Sequence, residues 1–148
     1  MFDKKKRGVS PLIATVLLIA FAVSLGAVVI NLGLNLFGDP CKDKTIEILT
    51  IAGAPRVCHI PSTKTISMTI VNSGKDPLDG FKISVVGNVA YNEDIPEKFQ
   101  SLEKKVISYP ASDITRIDLI SIIPYYEDQG EIKYCAQNEK DYTNIANC

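Results

Sequence analysis

The sequence of 148 residues holds one histidine, no CxxC pair, no Gly-rich phosphate loop and no Asn-x-Ser/Thr sequon. Without CxxC pairs the common zinc signatures are excluded. Without the phosphate loop the best-marked nucleotide motif is excluded. Without a sequon, standard N-glycosylation is not expected. Charge is missing too where its absence says most: Val9 to Gly38 contains no charged residue. The chain therefore reads as three parts: a basic leader at 1–8, a hydrophobic segment at 9–38 and a mixed domain at 39–148.

The formal net charge of −1 conceals an asymmetry. Lys4, Lys5, Lys6 and Arg7 crowd the leader against Asp3 alone, and from Val9 onward 12 basic residues face 16 acidic ones. A mildly acidic domain lacks the clustered cations that nucleic acid requires, so no nucleic-acid partner is expected.

The hydrophobic segment of 30 residues is about twice the 7–15-residue apolar stretch of a secretory signal. A membrane-crossing helix needs about 20 apolar residues. From Pro11 to Phe37 a helix would run roughly 40 Å, beyond the ~30 Å hydrocarbon core. The excess must tilt, protrude or serve a second purpose. The cations before the segment place its start on the cytoplasmic side and the domain at 39–148 outside. Ser10 can cap the first free amides, and Pro11 sits where a missing N–H costs nothing. Ala20, Ser24, Ala27, Asn31 and Asn35 fall at spacings of four, three, four and four, a stripe of small and polar side chains. Such a stripe lets helices approach closely, and Ala22 with Gly26 adds a small-xxx-small pair.

Lys5-Lys6-Arg7-Gly8 followed by Val9-Ser10-Pro11-Leu12-Ile13-Ala14-Thr15-Val16-Leu17-Leu18-Ile19-Ala20 resembles the N-terminus of archaeal type IV pilins, which carry a class III signal peptide. The resemblance implies cleavage by a prepilin peptidase between Gly8 and Val9, with Lys6 and Arg7 in the recognised stretch. It further implies a homo-polymer built through the N-terminal helix by a pilus assembly platform. The subunit would wait in the cytoplasmic membrane and then move to a cell-surface filament, a common setting for adhesion. Bacterial pilins place a Glu five residues after the cut, where this chain has Ile13; Ser10-Pro11 fits the archaeal branch instead. An archaellin, a minor pilin and a monomeric membrane-anchored binding module are the alternative readings.

Beyond Asp39-Pro40, a plausible helix stop, the pattern is one of strands. Ile46, Ile48 and Ile51 lie in one short segment. Ile66, Met68 and Ile70 share one face of Thr65–Val71, and Phe81, Ile83 and Val85 resume the alternation after Asn72-Ser73-Gly74 and Asp79-Gly80. Val106–Tyr109, a bulged Ile114–Ile123 and Ile132 with Tyr134 complete the strands, while polar Tyr91–Glu103 reads as a long loop. The expected fold class is α+β: a long N-terminal hydrophobic helix followed by an all-β, immunoglobulin-like antiparallel sandwich. Cys41, Cys58, Cys135 and Cys148 all lie beyond the hydrophobic segment, and an even count outside reads as two disulfides in an oxidising compartment. Three pairings are possible. Cys41–Cys58 with Cys135–Cys148 is favoured, because it ties the helix exit and staples the tail; an inter-sheet Cys58–Cys135 bridge is the runner-up.

No constellation supports an enzyme, a cofactor or a metal site. His59 adjoins Cys58, but neighbours in a strand point to opposite faces. Ser101-Leu102-Glu103-Lys104 matches S-x-x-K without its partner motifs. Asn72, Asp76 and Asp79 lack EF-hand spacing and suit turns. Tyr125, Tyr126 and Tyr134 read as half-buried strand-end aromatics, with an exposed adhesive patch as the sharper alternative.

Overall fold

The structure is a computed structural model. It describes residues 11–36 and 38–148, with the backbone alone for 34–36. Contacts divide the chain after Asp39, the helix falling in one unit and Pro40–Cys148 in the other.

Helix α1 (Pro11–Leu36) carries no acidic residue in its first turn and no basic residue in its last. Its Leu and Ala content favours the helix, and Pro11 opens it without losing a bond. Every position from Pro11 to Leu32 is exposed. Ser10, the expected cap, lies outside the described residues.

The second unit is β throughout, apart from one 3₁₀ turn at Ala136–Asn138. Its strands are β1 (Ile46–Ile48), β2 (Thr50–Ile51), β3 (Ala54–Pro55), β4 (Val57–Ile60), β5 (Thr65–Asn72), β6 (Gly80–Gly87), β7 (Ala90–Ile95), β8 (Lys104–Pro110), β9 (Ile117–Asp128), β10 (Glu131–Tyr134), β11 (Lys140–Thr143) and β12 (Ala146–Asn147). In the first sheet β5 is central. β8 pairs along one side of it, while β1 and β4 share the other, and β12 adds in parallel to β4. In the second sheet β6 and β9 are central, β7 flanks β6, and β10 and β11 share the outer edge of β9.

Both shared edges are one strand interrupted. Between β1 and β4 the chain leaves for the β2–β3 hairpin, and the edge is held by Leu49 N–H to Thr69 O and Thr69 N–H to Arg56 O, at 2.8 and 2.9 Å. Between β10 and β11 it leaves for the 3₁₀ turn, and Cys135 N–H donates to Pro124 O at 2.9 Å. The two-residue turn Gln129-Gly130 between β9 and β10 has positive φ at both positions, 53° and 82°, the backbone that a tight hairpin requires.

Alternation places Ile66, Met68 and Ile70 of β5 and Phe81, Ile83 and Val85 of β6 inward, as their spacing predicts. They join Ile46, Ile48, Ile120 and Ile122 in one core shared by the two sheets. Phe81 and Phe99 meet edge to face at 6.2 Å. Tyr142 reaches from β11 to accept the Ile48 N–H at 2.8 Å, linking the sheets where the hairpin leaves the ladder.

Two expectations change. Tyr91–Glu103 is not one long loop, since its first part is β7, an edge strand paired to β6 from Phe81↔Ile95 to Val86↔Ala90. The Ile-rich strand starts at Ile117 and continues through Pro124 to Asp128. Its register shift, where Val86 pairs with Leu119 and Gly87 with Ile117, is the bulge that the sequence pattern predicts within Ile114–Ile123.

Candidate assembly helix and outer-domain surfaces

Ala20, Ser24, Ala27 and Asn31 follow helical spacing along α1 and are exposed, so they occupy one face; the backbone of Asn35 continues the same row. Ser24 Oγ donates to Ala20 O at 2.8 Å, and Thr15 Oγ1 donates to Leu12 O at 2.8 Å. These bonds hide the hydroxyl hydrogens inside the helix, so Ser24 can only accept across a seam. Around this row stand Leu12, Val16, Leu17, Ile19 and Phe21, each 59–74% exposed. α1 is apolar on all sides, and its Pro11–Gly33 part is long and apolar enough to cross a membrane. The processing residues Lys6, Arg7, Gly8 and Val9 lie outside the described residues.

All four cysteines are bonded, but not in the favoured pairs. Cys41 joins Cys135 and Cys58 joins Cys148, with Cα–Cα distances of 5.4 and 5.1 Å. The sheet registers explain the correction. Ile46 pairs with Asn72 and Cys58 with Ser67, five residues apart along β5. That is about 17 Å, so β1 starts far from Cys58 for a bond that needs Cα atoms within about 7 Å, and Asn138, three residues after Cys135, holds the Cys41 carbonyl. β12 lies beside β4, with Ala146 opposite Cys58, and so carries Cys148 to Cys58, while Cys135, after β10, is taken by Cys41. The runner-up, Cys58–Cys135, does not form either. The pairs interlace and close long stretches of 94 and 90 residues.

The segment after α1 is held further. Asn138 Nδ2 donates to Cys41 O at 2.6 Å and to Lys44 O at 2.8 Å. Lys44 pairs with Asp76 at 3.1 Å and lies over the Tyr126 ring. Gly74 permits the close approach of this segment, because a Cβ there would strike Asp43 O.

The other candidates have structural partners. Buried Asn72 donates to Asp76 O and Gln100 O and accepts from Gly74 N–H. Asp79 accepts from Glu127 N–H, and Ser101 Oγ donates to Gly74 O. Tyr125 is buried against Tyr134, ring centroids 5.8 Å apart, while Tyr134 is half exposed and donates to Asp94 at 2.8 Å. Burial pushes the Tyr109 hydroxyl up to about 12, helped by a hydrogen bond to Glu93. Burial likewise raises Tyr125 and Tyr142 above the usual tyrosine range. Among the described residues no three His, Cys, Asp or Glu side chains gather as metal ligands. His59 is buried on the face opposite Cys58, and its Nε2 has no hydrogen-bond partner.

The chain matches no family model, and neither a curated protein nor a solved structure is similar to it.

Proposed function

We propose that this chain is a structural subunit of an archaeal type IV pilus-like surface filament. A prepilin peptidase cuts the precursor after Gly8, and the subunit polymerises through α1. The observation that carries this reading is the helix, with every described apolar side chain exposed and a basic leader ending in Gly8 before it. Lipid covers that surface in the precursor, and neighbouring helices cover it in the filament. The outer domain is read as an immunoglobulin-like sandwich. The strand order supports this, with β1/β4, β5 and β8 in one sheet and β7, β6, β9 and β10/β11 in the other. Two disulfides suit an oxidising, extracellular setting. The subunit therefore resides first in the cytoplasmic membrane and then at the cell surface, where a filament serves adhesion.

The test is negative-stain microscopy of cells carrying Ser24→Leu or Ala27→Leu. Filaments should disappear while the precursor still reaches the membrane fraction. Filaments of normal number and length in both variants would remove the proposed seam.

A further inference from the structure

The buried His59, whose Nε2 has no hydrogen-bond partner, lies beside the last residues of the chain. Asn147 pairs with His59 in the parallel β12–β4 ladder, and Cys148 N–H donates to His59 O at 2.9 Å. Two cavities, of about 150 and 190 Å³, share His59 and Thr115 in their walls. Arg116 and Asn147 complete the polar lining of the first, and Lys64 and Ser112 that of the second. A water takes about 30 Å³ of liquid, so either space accepts a group of roughly five non-hydrogen atoms.

The charge of these walls has one sign. Neither cavity is lined by a carboxylate, although the domain as a whole is acidic. Two carboxylates stand close by: Asp118 pairs with Arg116 of the first cavity at 2.9 Å, and Asp113 accepts from the Tyr91 hydroxyl at 3.0 Å and from Ser112 Oγ at 3.5 Å, which leaves Lys64 of the second cavity as the uncompensated cation. Lys64 is exposed and forms no ion pair among the described residues. It is fixed by its own carbonyl, which accepts from Ala111 N–H at 2.8 Å. Asn88 fixes the backbone that carries Thr115, its Oδ1 accepting from Thr115 N–H and Arg116 N–H at 2.9 and 3.2 Å. A buried polar atom without a partner is uncommon and calls for one.

We propose that this end of the domain binds a small oxyanion. The ion occupies the second cavity, where Lys64 supplies charge, the Ser112 and Thr115 hydroxyls supply hydrogen bonds, and the partnerless His59 Nε2 is the group it engages. The oxyanion is either a free ion or the terminal group of a larger surface molecule. This inference does not depend on filament assembly.

The test is NMR titration of the full-length chain in detergent micelles with inorganic phosphate and with methyl phosphate, at ionic strength held constant with chloride. Saturable shifts of the His59 ring and of the Thr115 amide are expected. Equal binding of methyl phosphate identifies a site open to attached phosphate groups, whereas binding of inorganic phosphate alone identifies a free-ion site. Lys64→Glu, at an exposed turn, should weaken binding about tenfold or more, the usual scale for losing a charge-assisted contact. His59→Gln should weaken it by a similar factor. Absence of saturable shifts with both probes would overturn the proposal, as would unchanged affinity in Lys64→Glu.

Discussion

In α1 the side chains of Leu17, Ile19 and Phe21 are 62%, 62% and 66% exposed, whereas Ile66, Phe81 and Phe99 in the outer domain are fully buried. The two regions draw on similar apolar residues and satisfy them differently. The outer domain covers its own, folding two sheets onto one core and joining its ends by disulfides. The helix satisfies its backbone internally and leaves its side chains to whatever surrounds it. The β domain thus buries its apolar residues within the described chain, while the apolar side chains of the helix stay exposed there.

The sharpest way to break this contrast is reduction. Each disulfide closes a stretch of 94 or 90 residues, worth about 4 to 5 kcal/mol in the chain-entropy treatment. Reducing both should unfold the outer domain near physiological temperature, while far-ultraviolet circular dichroism in micelles retains the signal of α1. Non-reducing peptide mapping should recover Cys41 with Cys135 and Cys58 with Cys148. Next in size is Phe81→Ala, which empties a buried site in contact with Phe99 and should cost about 3 to 5 kcal/mol in denaturant unfolding. Leu17→Ala in α1 should leave that unfolding curve in place.

The smallest effect concerns pH. Tyr109 is held protonated up to about 12, and burial shifts Tyr125 and Tyr142 in the same direction. Unfolded tyrosines lose their protons near 10, so above that pH the unfolded state binds fewer protons than the folded one. Outer-domain stability should hold constant in this respect below pH 10 and fall between about 10 and 12. Chemical denaturation across that range, with tyrosinate absorbance as the probe, measures it. A flat profile to pH 12 would mean that Tyr109 is not buried as described.

What was legible in the sequence follows from local periodicity. The inward faces of β5 and β6 are strict alternations of large apolar residues, and they read correctly. β7 is not legible because it is an edge strand, with Asn92, Glu93 and Asp94 in its middle and little apolar pattern to announce it. β11 and β12 are short, exposed edge additions with the same defect. The cysteine pairing is not legible for a different reason. Short spacing suggested local bridges, but β1 and β4 lie end to end along β5, and the tail crosses from β9 to β4. Those are tertiary facts that no local pattern encodes. For the seam, the row from Ala20 to Asn31 follows directly from helical spacing, but the internal bond of Ser24 does not.

The contrast between a domain that covers its own core and a helix that leaves its apolar side chains exposed bears directly on what happens at Gly8. A filament subunit must lose its charged leader before its helix start can enter an apolar core, whereas a permanent anchor keeps it. Intact-mass spectrometry of the protein sheared from the cell surface measures this most directly. The mature chain should begin at Val9, lacking residues 1–8, with both disulfides present. A surface-exposed chain that still begins at Met1 would contradict the account.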